Sequence, residues 1–168
     1  MTRNRYAIVG LMLASVAAVC GCAKAPPAAP PPSITIAAPP DARVKAAMLL
    51  SASADTNPDS TGRPSPIVVR IYQLRADAAF TGADFVSLYE DDQKVLGQEL
   101  ISRDEFELTP SQKRSVPVTV SDETRFLGAV AAFRDIRNAQ WRTIVQAPRS
   151  DMTVTIARDR IVITTGTN

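Results

Sequence analysis

Pairs of adjacent carboxylates, such as Asp91–Asp92 and Asp104–Glu105, are groups in this chain whose types could perform acid–base chemistry. Such chemistry needs two carboxylates that converge on one substrate in unlike environments. Adjacent residues point to opposite faces of a strand, and on a helix they also diverge. We therefore expect these residues to be solvated charges rather than a catalytic pair.

The composition argues against the other common catalytic and metal sites. The chain has no histidine, and its two cysteines, Cys20 and Cys22, both lie near the amino terminus. Without histidine or a free thiol in the mature chain, neither a Ser-His-Asp nor a Cys-His site can be built, and the commonest metal ligands are missing. We predict no catalytic residues, no metal ligands and no enzymatic activity.

The amino-terminal segment has the features of a signal peptide that ends at a lipid-modified cysteine. Two arginines precede an apolar run, residues 8–19, that is too short to span a bilayer. Gly21 places a small residue directly before Cys22, which resembles a bacterial lipoprotein box with Val19 in place of the usual leucine. We predict that residues 1–21 are removed and that Cys22 carries a diacylglycerol and an N-acyl chain, with no other cofactor.

The residues after Cys22 predict a tether at the outer membrane. Ala23 and Lys24 lack the aspartate that resembles an inner-membrane retention signal, so we expect the periplasmic face of the outer membrane. The segment 22–43 is rich in proline and alanine, which favours an extended linker. Removing Arg3 and Arg5 leaves equal numbers of acidic and basic residues, so charge steers the chain neither to nucleic acid nor to anionic lipid.

From Val44 onward, period-two alternation predicts one mainly β domain, residues 44–168. A run that is apolar at both parities, residues 126–133, indicates a central strand, whereas the strand that contains Pro117 is typical of a sheet edge. Seven or eight short strands favour a two-sheet β-sandwich over a barrel. The strands are expected over residues 44–53, 67–74, 99–108, 115–120, 125–134, 141–146, 152–157 and 160–164.

One short helix is predicted between the second and third strands. Thr81 can cap its start, Asp84 lies in its positive first turn, and Phe80 and Phe85 flank the start as a hydrophobic staple. The helix continues to about Asp92 and lays one apolar stripe on the sheet.

A loop of twelve residues, 55–66, joins the first two strands and is far longer than a hairpin requires. One interpretation is a stiff surface connection, because prolines fix the backbone and Asn57 and Asp59 can hydrogen-bond to their own backbone. The other is a preorganised binding loop in which Asp59 and Arg63 present charge at fixed positions. These residues alone favour neither interpretation.

A second polar and aromatic cluster contains Arg134, Asp135, Trp141 and Arg142. We interpret it as a buried tryptophan beside an ion pair that closes the loop 136–140. The alternative is an interface anchor, a role that lone tryptophans often have.

Several stretches of this sequence together resemble one protein family. Their order and spacing over about residues 44–165 are similar to those of the TssJ lipoproteins of type VI secretion systems. The stretches are NPDSTGRPSP at 57–66, VVRIYQL at 68–74, Phe80 with ADF at 83–85, LGAVAAFRD at 127–135, and Trp141 with Arg142.

This resemblance implies a transthyretin-like β-sandwich, anchored in the outer membrane and docked on the periplasmic domain of the inner-membrane protein TssM. Together with TssL, these proteins form an envelope-spanning complex. In the family, the loop between the first two strands contacts TssM, and this carries over only to residues 55–66. The partner-binding residues that it implies are Asp55, Asn57, Pro58, Asp59, Ser60, Thr61, Gly62 and Arg63.

An alternative function is a periplasmic binding module for peptidoglycan or a small ligand. Such a module would use a sheet edge or a cleft between the sheets, but no cluster of aromatic and amide side chains marks such a site. We therefore expect no small-molecule substrate.

The Cys22→Ser variant should leave a domain that folds and is soluble, but should abolish secretion. The reason is that one end must be fixed in the membrane while the loop holds its partner. Cell fractionation and an effector-export assay would measure both effects. Export by the soluble form would contradict the predicted anchor.

Overall fold

The computed structural model of the protein describes residues 44–166. The predicted signal peptide, residues 1–21, and the predicted linker, residues 22–43 with Cys22, lie outside the described residues. Those predictions therefore stay predictions.

The described residues form a mainly β domain, as predicted, with short helices inserted after the second strand. The strand predicted over 125–134 ends earlier, at Ala131, and the other predicted bounds are within about two residues of those observed. The strands are β1 Val44–Ala52, β2 Ile67–Leu74, β3 Leu100–Leu108, β4 Lys113–Val120, β5 Phe126–Ala131, β6 Arg142–Gln146, β7 Met152–Ile156 and β8 Ile161–Thr165. The helices are α1 Ala78–Gly82, α2 Phe85–Glu90 and α3 Asp92–Leu96, followed by a 3₁₀ turn at Gly97–Glu99.

The strands form two four-stranded sheets, with the orders β4-β1-β7-β8 and β3-β2-β5-β6. All pairings in the described strands are antiparallel except that of β1 with β7. The predicted edge strand, β4, is at an edge, and the predicted central strand, β5, is inside its sheet. The two-sheet β-sandwich is thus confirmed.

Alternation along the strands places apolar side chains between the two sheets. In β1, Met48 and Leu50 are fully buried, and their neighbours at odd positions are half-buried or exposed. In β2, Ile67, Val69 and Ile71 face the same core. Burying one such side chain contributes about 1.5–3 kcal/mol, so this repeated pattern stabilises the sandwich and sets the register of its strands.

The helices cover the outer face of the second sheet, where Tyr72 and Leu74 of β2 form a second core with Phe80, Leu88 and Leu96. Because the helices cover this face, β2 carries buried side chains at both odd and even positions near its end. A strand covered on both sides loses the simple alternation of a half-exposed strand.

The inserted segment differs from the single helix that was predicted. Ala83 is extended, with φ −73° and ψ 147°, and it separates α1 from α2. Asp84, not Thr81, caps α2 by accepting a hydrogen bond from the Ser87 backbone N–H at 3.0 Å. The Thr81 hydroxyl donates instead to the Asp77 carbonyl within its own helix. Thr81 does not cap α2, because the Asp84 carboxylate already accepts the hydrogen bond at the start of that helix.

A buried ion network fixes the helical layer to the second sheet. Asp92 is 4% exposed and accepts hydrogen bonds from Arg103 at 2.7 Å and from the Tyr72 hydroxyl at 3.2 Å. Arg70 lies 3.9 Å from Asp92 and pairs more closely with Glu105 at 2.7 Å. Burial, reinforced by the charge of Asp92, raises the pKa of Tyr72 to about 12. The expectation of a solvated carboxylate is wrong for Asp92, because two arginines offset the cost of burying it.

Neither carboxylate pair forms a catalytic dyad. Asp91 caps α3 by accepting a hydrogen bond from the Lys94 backbone N–H at 3.2 Å, whereas Asp92 turns inward. Asp104 and Glu105 are both exposed neighbours on β3. The two members of each pair thus have different surroundings and do not converge on one point.

Gly128 should be irreplaceable even by alanine. A Cβ added at Gly128 would lie 2.7 Å from the tip of the Phe80 ring, which is fully buried. Gly128→Ala should therefore lower the free energy of unfolding by about 1–3 kcal/mol, the cost of overpacking a core. Urea denaturation followed by circular dichroism would measure it.

Gly82→Ala is the matched control, because nothing lies within 4 Å of a Cβ placed there. Its free energy of unfolding should be unchanged or higher, since alanine favours helix by up to about 1 kcal/mol. Equal denaturation midpoints for Gly128→Ala and the wild type would contradict the close packing of Phe80.

Candidate functional site

The candidate site lies at the end of the sandwich opposite to the entry of the chain. The described chain enters β1 at Val44 and leaves it at Ala52, roughly 30 Å away for nine residues of strand. Four connections emerge at this far end: residues 55–66 between β1 and β2, residues 109–112 between β3 and β4, residues 132–141 between β5 and β6, and residues 157–160 between β7 and β8. We call this surface the loop end.

Asn57 joins three of these connections. Its backbone N–H donates to the Arg158 carbonyl at 3.1 Å, and its side-chain Nδ2 donates to the Pro66 carbonyl at 2.7 Å. Its Oδ1 accepts from the Arg134 backbone N–H at 2.8 Å. Asn57 is 3% exposed and has a φ of 51°, a left-handed conformation that asparagine adopts more readily than most residues. Asn57 therefore holds the three connections in position.

The start of the loop is anchored to the sheet by hydroxyl groups. The Thr56 hydroxyl, which is buried, donates to the Ile156 carbonyl at 2.9 Å. The Ser53 hydroxyl donates to Asp55 Oδ1 at 2.6 Å and lowers the pKa of that carboxyl, and the charge of Arg158 acts in the same direction more weakly. Asp55 itself is exposed.

The tip of the loop is organised around Asp59. One carboxylate oxygen accepts from the backbone N–H and the hydroxyl of Thr61 and from the Arg63 N–H, at 2.7–3.0 Å. The other accepts from the Arg63 guanidinium at 2.9 and 3.0 Å. The Thr61 hydroxyl and the Arg63 N–H hold the pKa of Asp59 well below its ordinary value. Gly62 completes the turn with a φ of 83°, which glycine adopts without strain.

The predicted partner-binding residues thus fall into two groups. Ser60, Thr61, Gly62 and Arg63, with Asp55, are exposed, whereas Pro58 and Asp59 are half-buried and Asn57 is buried. The loop is the stiff connection of the first interpretation, because its polar groups bond within the protein. It also presents a fixed outer surface, as the second interpretation requires. The assignment of these residues to partner binding stays a prediction.

A groove of about 730 Å³ lies beside the loop. One wall contains residues 57–60, the other residues 133–135 and 137–139, and Arg158 with Asp159 completes the lining. The sequence predicted the first wall. It singled out Arg134 only as the ion-pair partner of Asp135, and it did not indicate Arg137 or Arg158. The three arginines come from distant parts of the chain. The only sequence signal that could have indicated them is their position in predicted loops.

The cluster around Trp141 differs from its prediction. Asp135 accepts hydrogen bonds from Asn138 Nδ2 at 2.8 and 3.0 Å, and the predicted Arg134–Asp135 ion pair is absent from the described residues. Trp141 is half-buried and packs edge-on against Phe85, with ring centroids 5.3 Å apart. The prediction was wrong because a nearer amide donor satisfies the aspartate.

The Arg142 guanidinium contributes to the same contact between helices and sheet. It donates to the carbonyls of Phe80 at 3.0 Å and Ala83 at 2.6 Å. These carbonyls lie at the end of α1, where helix carbonyls lack intrahelical partners. Arg142 therefore holds the helical layer rather than a ligand.

Among residues 44–166, no three Asp, Glu, Cys or His side chains are grouped closely enough to bind a metal ion. None of the helices in this part of the chain is long and apolar enough to cross a membrane.

Comparisons with known proteins agree on one family. The family model described as type VI secretion lipoprotein, VasD, EvfM, TssJ, matches residues 44–164. The crystal structure of the type VI secretion lipoprotein TssJ1 from Pseudomonas aeruginosa is 33% identical, with a TM-score of 0.71, and the match covers 75% of this chain and 98% of that one. No significant match to a curated protein sequence was found.

Two more distant structures share the fold. Lip from Serratia marcescens, described as a membrane-bound component of the type VI secretion system, is 24% identical with a TM-score of 0.68, and the match covers 75% of this chain and 99% of that one. A chain in the structure described as the type VI secretion protein TssM C-terminal domain from EAEC is 22% identical with a TM-score of 0.62. That match covers 73% of this chain and 99% of that one.

Asn57→Ala should destabilise the domain without a direct effect on any ligand. The change removes two side-chain hydrogen bonds and leaves alanine in a left-handed conformation, so we expect a loss of about 3 kcal/mol in the free energy of unfolding. Ser60→Ala is the control, because Ser60 is exposed and should change stability by less than about 0.5 kcal/mol. Thermal denaturation measures both, and equal effects would contradict the role assigned to Asn57.

Proposed function

Because the chain belongs to the type VI secretion lipoprotein family that includes TssJ, we propose that it docks the periplasmic domain of TssM through its loop end, as the outer-membrane-anchored lipoprotein of the secretion membrane complex. Its link to TssL would then run through TssM. Membership of a lipoprotein family implies attachment to a membrane. The outer membrane, its periplasmic face and Cys22 as the attachment point belong to the proposal.

The observation that carries this proposal is the position of the loop end. The loop end and Val44 lie at opposite ends of β1, so the proposed tether would join the domain at the end away from the loop end. A protein held at one pole and bound at the other can join two structures that lie on opposite sides of it.

The rigidity of the loop supports a docking role. Asn57 and Asp59 saturate their hydrogen-bonding groups inside the protein, so the exposed tip is already ordered before a partner arrives. Preordered loops bind at lower entropic cost than loops that must be fixed on contact. The description of the EAEC neighbour names TssM, which supports TssM as the partner.

A structural role without catalysis fits the chemistry of the described residues. The buried carboxylate, Asp92, is neutralised by Arg103 and Arg70, and Asp59 is bound to Thr61 and Arg63. A general base needs a lone pair that is free to meet a substrate, and these groups use theirs within the fold.

A second candidate function rests on the groove. Its volume of about 730 Å³ lies within the range of sites for small ligands, about 300–1,000 Å³. A periplasmic binding module for a peptidoglycan fragment or a small ligand would use this space. Its lining is more polar than that of most such sites, which favours a protein partner instead.

Replacing Ser60 by tryptophan should block docking while leaving the fold intact. Ser60 is exposed at the loop tip, and its side chain forms no hydrogen bond in the described part of the chain, so a large side chain there obstructs a partner and not the core. The mature chain, made without its lipid, is titrated with the periplasmic domain of the cognate TssM. The Kd of Ser60→Trp should be at least about tenfold higher than that of the wild type, which corresponds to a loss of about 1.4 kcal/mol of binding free energy.

Gln146→Trp provides the matched control at the opposite end of the sandwich, where Gln146 is exposed. It should bind like the wild type. Equal binding by all three proteins would move the interface away from the loop end. If the wild type did not bind, the proposed partner would be wrong and the binding-module alternative would be tested with muropeptides.

A further inference from the structure

We propose that the groove at the loop end receives an acidic, extended segment of the partner protein, held by Arg134, Arg137 and Arg158. The inference rests on the proposed function, because TssM is taken as the source of this segment. It goes further in two respects. It assigns contacts to connections other than the 55–66 loop, and it specifies the charge of what they bind.

None of the three arginines forms an ion pair with a described carboxylate, and Arg158 interacts with Asp55 only at longer range. All three are exposed, and within residues 44–166 none lies within 4.0 Å of a carboxylate oxygen. They come from two connections, yet they line a single groove. Arginines that share a concave surface raise the local potential more than arginines scattered over a convex one.

The acidic side chains of the same groove are already engaged. Asp59 accepts hydrogen bonds from Thr61 and the Arg63 guanidinium, and Asp135 accepts from Asn138. Asp159 lies 3.5 Å from Arg160, a neighbour outside the lining. Asp59 and Asp159 are therefore each paired with an arginine outside the lining, whereas the neutral amide of Asn138 leaves the charge of Asp135 in place. The three arginines of the lining thus outnumber its one unpaired carboxylate. A bound carboxylate can pair with those arginines without displacing an existing ion pair.

The walls of the groove are held at a fixed separation. The Asn57 side chain accepts from the Arg134 N–H, and its backbone donates to the Arg158 carbonyl, so the two connections that carry the arginines are bonded to one residue. Because the backbone of this site is already fixed, binding to its guanidinium groups costs no further backbone conformational entropy. Guanidinium groups bind carboxylates through paired, parallel hydrogen bonds, which suits glutamate or aspartate in an extended chain.

Position favours a protein segment over a lipid headgroup. A phosphate would offer the arginines the same charge, but the groove opens at the end of β1 opposite to Val44, where a lipid-anchored chain would enter. The groove also contains apolar lining from Phe133 and Ala139 beside its charges. A peptide can supply both carboxylates and apolar side chains to one concave site.

The test compares two triple variants of the full mature chain, made with Cys22→Ser so that it carries no lipid. The groove variant is Arg134→Gln, Arg137→Gln, Arg158→Gln. The control is Lys45→Gln, Lys94→Gln, Arg149→Gln, which removes the same charge from exposed residues elsewhere that also form no ion pair among the described residues. Both are titrated with the periplasmic domain of TssM at low and at high salt.

The groove variant should bind at least about tenfold more weakly at low salt, and its Kd should depend less on salt than that of the wild type, because fewer charge pairs form in the complex. The control should match the wild type in both respects. Equal binding by the wild type and both variants would overturn the acidic-segment inference while leaving TssM docking in place.

Two probes separate the remaining outcomes. If the wild type does not bind TssM, the proposed function fails, and titration with hexaglutamate decides the inference separately. Binding of hexaglutamate that the groove variant loses would support an acidic-peptide site, whereas no binding by the wild type would overturn it. Binding to phosphatidylglycerol vesicles that depends on the three arginines, without such an effect on hexaglutamate, would identify a lipid site and also overturn the inference.

Discussion

Burial of β2 on both faces is the constraint on which the rest of the structure depends. Ile67, Val69 and Ile71 pack into the space between the sheets, and Tyr72 with Leu74 packs under the helices. Hydrophobic burial on both sides requires a second sheet on one face and a helical layer on the other. The buried ion network follows from the same requirement. Arg70 lies on the face of β2 that the helices cover, so its charge must be paired there.

The same strand sets the geometry of the loop end. The chain reaches β2 through Pro66, whose carbonyl accepts a hydrogen bond from Asn57, and the Val68 carbonyl accepts from the Ala132 N–H of a second connection. Hydrogen bonds therefore fix the loops relative to this strand. The connection 132–141 is also held by apolar packing, because Phe133, Ile136 and Ala139 contact the core between the sheets.

A protein with this construction suits a role as a connector. The core is internal, the ion network is centred on the buried Asp92, and the loop end brings several exposed connections together at one end of the sandwich. Membership of the type VI secretion lipoprotein family fits this arrangement, since an anchored protein needs a rigid body and a distinct contact surface. The proposed docking assigns the tip to shape recognition and the arginine groove to charge recognition. Shape recognition by the tip then contributes affinity, and charge recognition by the groove contributes specificity during association.

The sequence alone determined the strands, because alternation depends on which residues are neighbours along the chain. The period-two alternation in β1 predicted the sandwich and its core face, and the proline in β4 predicted an edge strand. The stretches that carry the family resemblance can likewise be recognised in the sequence alone. Only the tertiary structure decided which polar groups meet. Asp92 is buried against Arg103, Asn57 bonds to Arg134, and Asp135 takes Asn138 instead of Arg134. Such choices depend on distances between segments far apart in the chain, and no local pattern encodes those distances.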